Sequence, residues 1–158
     1  MSSYKLLLFL HVVTVIVGLG LTFSYPFLQG FAERQGVAAT RFVHQFTLRL
    51  DKMVVYPAAA VLFVFGLGLM FDDHTGYKDD FPAWLMVAIP WFLGAVAVSV
   101  FVQRKNMHAA VKALENVPDG KDLPAAYAPI GKRIQVIGGL LGLSIVVITF
   151  LMVWKPGQ

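Results

Sequence analysis

LLLFLHVVTVIVGLGLTFSYPFL, residues Leu6 to Leu28, runs without a single Lys, Arg, Asp or Glu. A hydrocarbon core of roughly 30 Å needs about 20 helical residues at 1.5 Å rise each, so this run is long enough to cross a bilayer. Three further runs pass the same test: Met53 to Phe71, Ala83 to Val102 and Ile134 to Trp154. Four charge-free runs in 158 residues predict an all-α, four-helix transmembrane bundle in a single domain, with helices over about 4–28, 40–71, 82–116 and 132–154.

Composition points the same way. Hydrophobic residues make up 58% and charged residues 14%, against about 25% charge in an average soluble domain. The absence of cysteine excludes disulfides, thiolate metal sites and cysteine nucleophiles, so a metal would have to use His, Met or oxygen ligands. The net charge of +4 comes from basic residues that flank the spans, where they meet anionic lipid headgroups; nucleic acid is not an expected partner. A signal peptide is the competing reading of the short basic start, Met1 to Lys5. The apolar run that follows is too long for one, and the small residues Val37-Ala38-Ala39 lie well past its end, so the first segment is expected to be retained.

Orientation follows from the loop charges. Arg34, Arg41, Arg49 and Lys52 fall in the first connection, and Arg104, Lys105, Lys112, Lys121, Lys132 and Arg133 in the third. The opposite side holds Lys5, Lys78 and Lys155 beside the acidic residues Asp72, Asp73, Asp79 and Asp80. This asymmetry predicts N-out and C-out topology with the two long loops cytoplasmic. Helical extensions are expected to project from the inner side: one from Thr40, read as an N-cap, through TRFVHQFTLRLDK, and one past Arg104 towards Leu114, stopped by Pro118-Asp119-Gly120. His44 and His108 lie in these basic extensions and read as surface residues. Trp84, Tyr77, Tyr4 and Trp154 read as an outer interfacial belt.

Within lipid, polar and small residues identify the inward faces. His11, Thr14, Gly18, Thr22 and Tyr25 form one stripe on the first helix. Gly66 and Gly68 on the second helix and the Gly138/Gly142 pair on the fourth, with Gln135 and Thr149 nearby, suggest close packing, and Pro90 is expected to kink the third. His11 is the one ionisable side chain that this reading puts within the membrane core, and such groups are functional candidates. Its imidazole could be an axial ligand to a haem b, with Thr14 and Gly18 on the same face and Phe63 and Trp91 lining the ring. An interhelical hydrogen bond is the competing role. Candidates for a second ligand are Met70, Met86, Met152 and His74, and Met70 with His74 could alternatively bind copper or zinc. No Ser/His/Asp constellation, phosphate-binding loop or intramembrane carboxylate is evident.

The phrases KLLLFLHVVTVIVGLG, VYPAAAVLFVFGLGLM and FLMVWKP resemble a family of bacterial four-helix membrane proteins that is distantly similar to the copper-resistance D proteins and the four-helix membrane protoporphyrinogen oxidases. In the oxidase group the first-helix histidine is understood to bind haem b, and the matching position here is His11. Unlike that group, Ala83 to Val102 contains no basic residue. The resemblance implies a small haem-binding or electron-transfer membrane subunit, more plausibly non-enzymatic. Protoporphyrinogen oxidation, a structural role in a larger complex and copper handling are the alternatives. The expected partners are the lipid bilayer and other membrane proteins or further copies of this chain.

Overall fold

The structure, a computed structural model, describes residues 3–157. It is built from four long helices: α1 (Ser3–Gln35), α2 (Val37–Met70), α3 (Ala83–Leu114) and α4 (Ala128–Trp154). Each is long and apolar enough to cross a membrane. The four-helix, all-α reading holds, but the ends differ in an informative way.

α1 does not stop at Leu28. It continues to Gln35, so the expected loop before Thr40 shrinks to Gly36. Gln29, Glu33 and Arg34 suggested solvent, yet no breaker follows Pro26, and a helix tolerates these polar residues where it has left the lipid. Gly36 makes the turn at φ 104° and ψ −166°, a region essentially restricted to glycine. Its N–H closes on the Ala32 carbonyl at 3.1 Å, and Val37 N–H donates to the Gly120 carbonyl at 2.9 Å. Thr40 is therefore not an N-cap. It lies inside α2, with its hydroxyl donating back to the Gly36 carbonyl at 2.8 Å.

Two prolines explain two irregular turns. Pro57 offers no N–H to the carbonyl four residues earlier, and the preceding turn, Asp51–Val55, widens to a π-turn. Before Pro26 the chain instead tightens to a 3-10 turn over Gly20–Ser24, itself preceded by a π-turn over Val15–Leu19. A third π-turn, Ser99–Gln103, lies in α3; Pro90 sits within the uninterrupted α-helical segment Ala83–Val98.

The bundle is packed unevenly. α1 lies along α2, and α3 along α4. The two pairs join at the basic end, where 37–50 packs on 104–114 and the last turns of α1 reach α4. Val37, Met107, Ala110, Leu114, Tyr127 and Ile134 form a closed core there. Towards the acidic end the pairs separate; α2 and α3 are bridged by the stacked rings of Phe63 and Phe92, 6.4 Å between centroids. A smaller core of Tyr77, Trp84, Leu85 and Ala88 closes that end. Tyr77 and Trp84, expected in an interfacial belt, are instead buried against each other, whereas Trp154 is exposed. The Gly138/Gly142 face of α4 also departs from expectation: it looks into the space between the pairs and is not buried in a tight helix crossing.

Candidate functional site: an interhelical cavity

Between the two helix pairs lies a cavity of about 510 Å³. Its walls are mainly apolar: Leu8, Val15, Leu62, Phe63 and Phe92 line it in mid-membrane, and Ile145 and Met152 do so from α4. A shallower groove, lined by Ile16, Gly20, Phe23 and Val146, runs between α1 and α4 on the lipid-facing side.

His11 lies in the wall of this cavity and is buried. Gly66 packs beside it: a Cβ there would lie 3.4 Å from His11 Cε1, in van der Waals contact with the ring. The backbone of Leu62, one turn before Gly66, lies beside the ring, and Nδ1 is buried without a hydrogen-bond partner. A polar atom so desolvated costs on the order of a few kcal/mol.

The rest of the predicted stripe divides. Gly18 is buried where Ala58 of α2 fills the room left by its missing side chain, so it sets the α1–α2 approach. The Thr14 hydroxyl turns back to the Leu10 carbonyl at 2.7 Å. Thr22 and Tyr25 do face the cavity, as do Met70, Phe63, Gln135 and Thr149. Trp91 does not; its indole N–H donates to Ser144 Oγ at 3.1 Å on the exposed surface. His74 stays outside, on the acidic connection, with its ring Nδ1 2.8 Å from Asp72 Oδ1 and its ring stacked on Tyr4. Met70 and His74 therefore do not face a common space. Among the described residues, no three His, Asp or Glu side chains converge as a metal-binding group.

The largest correction is at the basic end. His44, read as a surface residue, is 2% exposed. Its Nε2 lies 2.8 Å from the Tyr127 hydroxyl, which in turn lies 2.8 Å from Glu33 Oε1. That hydroxyl has one proton and the carboxylate can only accept, so Tyr127 donates to Glu33 and accepts from His44 Nε2–H. Gln29 adds donations to Glu33 Oε1 at 2.8 Å and to the Gly131 carbonyl at 3.2 Å. Burial, reinforced by the bond to Glu33, pushes the Tyr127 phenol far above its ordinary range. Arg41 caps α3, its Nε donating to the Leu114 carbonyl at 2.9 Å and Nη2 to Val117 at 2.7 Å. His108 is exposed, as expected.

Asp51 is the second residue that sequence reading missed. It is 5% exposed, lines the cavity, and its Oδ1 accepts the Tyr25 hydroxyl at 3.0 Å. The expectation concerned carboxylates within the apolar runs; Asp51 stands two residues before Met53, and it is buried inside the bundle nonetheless. A signal was present: Thr40, His44, Thr47 and Asp51 recur at steps of four, three and four, one polar stripe on α2, and all four are buried.

Four apolar helices enclosing an apolar cavity with a few convergent polar groups define a multi-pass integral membrane protein with an interior ligand-sized space. Residues 5–156 match the family model described as predicted integral membrane protein (DUF2269), and the chain belongs to that family. No curated protein and no solved structure matches it.

Proposed function

We propose that the protein is a small, non-enzymatic membrane subunit of the electron-transfer class, holding a b-type haem in the part of the cavity nearer the acidic end, with His11 as iron ligand. The observation that carries this reading is the buried, unpartnered Nδ1 of His11 in a cavity wall. Metal-bound histidines characteristically donate their other ring N–H to a carbonyl or carboxylate, which fixes the ring and raises ligand basicity; the Leu62 backbone beside the ring is the candidate for that role. Lys155, the one Lys or Arg lining the cavity among the described residues, stands at its acidic end, its Nζ 5.8 Å from the centre of the Tyr77 ring. It would suit a carboxylate-bearing ligand edge. Met70 and Met152 share the wall and are the candidates for a second ligand. When bound, the iron supplies one-electron chemistry, and the protein's part is to exclude water and hold the imidazole. The protein sits in a bacterial inner membrane, with the basic end cytoplasmic by its loop charges.

Oxidised and dithionite-reduced absorption spectra of the purified protein test this. A reducible Soret band is expected, lost in His11→Ala while the variant remains in the membrane. A wild-type protein purified from haem-replete cells without that band, or a His11→Ala variant that retains it, overturns the assignment.

A further inference from the structure

The basic-end floor of the same cavity differs in kind from the wall around His11. Asp51 and Gln103 line it, 5% and 6% exposed, together with Tyr25, Tyr56 and Ser99. Asp51 lies eleven residues before Leu62 on α2, roughly 16 Å along the axis from the level of His11. Gln103 Oε1 is buried without a partner, and the buried Tyr56 hydroxyl, beside Ser99, makes no well-formed hydrogen bond. Gln103 is held by its other end, Nε2 donating to the Ile134 carbonyl at 3.0 Å, so Oε1 is fixed as a bare acceptor. Asp51 opens one π-turn and Gln103 closes another. Such insertions recur at functional sites because they re-aim a side chain out of the regular helical register.

The pattern of unmet bonds describes the missing partner. Gln103 Oε1 can only accept, as can an ionised Asp51, so the ligand must donate hydrogen bonds; the Tyr56 hydroxyl can donate in return, so the ligand also accepts one. A hydroxyl does both. Among the described residues no Lys or Arg lines this floor, although the Arg104 charge is near enough to act on Tyr56; the Asp51 carboxylate itself disfavours anionic phosphate or carboxylate headgroups. The apolar walls above it and the lipid-side groove between α1 and α4 require a molecule that dissolves in the bilayer.

We infer that the floor formed by Asp51, Tyr56 and Gln103 is a second binding subsite, which takes the hydroxyl-bearing head of a lipid-soluble quinol. The phenolic O–H of the quinol donates to Gln103 Oε1 or to the Asp51 carboxylate, and its oxygen accepts from Tyr56. This goes beyond the haem reading and does not depend on it.

The test is binding of decylubiquinol to the purified full-length protein in nanodiscs, measured as the excess over protein-free nanodiscs of the same lipid. Saturable binding of about one quinol per chain is expected. The dimethyl ether of the same quinol, which cannot donate, should bind at least tenfold more weakly; this comparison needs no mutation. Tyr56→Phe removes one oxygen that makes no well-formed hydrogen bond within the protein, and should weaken quinol binding about tenfold with an unchanged elution profile. His11→Ala should keep quinol affinity while losing any haem spectrum, which separates the two proposals. No excess binding, equal binding of the ether, or an unaffected Tyr56→Phe variant each overturns the quinol subsite.

Discussion

The two ends of this bundle are held together by different physics. At the basic end the helices protrude from the apolar spans, and water is available to drive apolar burial: Val37, Ala110 and Leu114 are fully buried, and His44, Tyr127 and Glu33 form a continuous hydrogen-bonded chain. Across the bilayer no comparable drive exists, because lipid tails are as apolar as the side chains they would replace. There the helices associate where small residues permit contact, as Gly18 does with Ala58 and Gly66 with His11, and elsewhere the pairs stand apart around a cavity. Polar satisfaction follows the same division. The Glu33 network is closed, although Asn106 Nδ2 at the basic end is unpartnered, whereas His11 Nδ1, Tyr56 and Gln103 Oε1 are left open around the cavity. One end is built for stability, and the membrane-embedded part has room for a ligand.

Substitutions at the two ends should therefore separate stability from ligand retention. The largest stability loss is expected at Gly36. A valine there must adopt φ 104° and would collide with the Gly120 backbone, costing about 3 kcal/mol; a melting curve in detergent should show a drop of many degrees or no folded protein. His44→Ala leaves the Tyr127 hydroxyl with only the long donation from Gln29 Nε2 at 3.5 Å and opens a cavity in the basic-end core. About 2 kcal/mol is expected, with the haem spectrum and quinol affinity, where present, retained in the surviving folded fraction. Arg41→Lys keeps the charge but loses the fork that spans the Leu114 and Val117 carbonyls, a cost near 1 kcal/mol, read as a smaller melting shift.

On the cavity side the order of effects reverses. Gly66→Ala meets the His11 ring at ordinary contact distance, so stability should change by less than about 1 kcal/mol; the proposed haem ligation, sensitive to ring position, should suffer more, visible as a weakened or shifted Soret band. The smallest effect concerns the acidic connection. The backbone and ring N–H groups of His74 hold the half-buried Asp72 carboxyl below its ordinary range. With the folded-state value depressed, the Asp72–His74 contact contributes at neutral pH and is lost as pH falls below about 4. His74→Ala keeps the backbone N–H, the larger cause, and removes only the ring's share, so it should weaken that dependence in the connection while leaving global stability nearly unchanged.

How much of this was readable from the chain depended on the solvent. In lipid, charge is so costly that four uncharged runs alone locate the spans, and the burial of His11 followed from its depth. At the basic end the same rule misled. Gln29, Glu33 and His44 stand among arginines and lysines and resembled solvated helix ends, although the steps between Thr40, His44, Thr47 and Asp51 carried the pattern of an inward face. The Gly36 turn was hidden because a polar stretch such as LQGFAERQG looks like a loop by composition; only its freedom from prolines after Pro26 argued for continued helix. The cavity had no signature at all. It arises from how far two helix pairs diverge, which depends on small-residue contacts such as Gly18 with Ala58 and on π-turns that no local motif announced.

The account rests on an accessible space between the helix pairs beside a closed basic-end core, and a chain without cysteine allows a direct test. Single cysteines at Ser99, in the cavity wall, and at Ala110, fully buried in the core, can be treated with N-ethylmaleimide in the folded protein and labelling followed by mass spectrometry. The structure predicts ready labelling of Ser99→Cys and none of Ala110→Cys until the protein is unfolded. A Ser99→Cys thiol as unreactive as the Ala110→Cys thiol would mean that the pairs close on each other and that no such space exists.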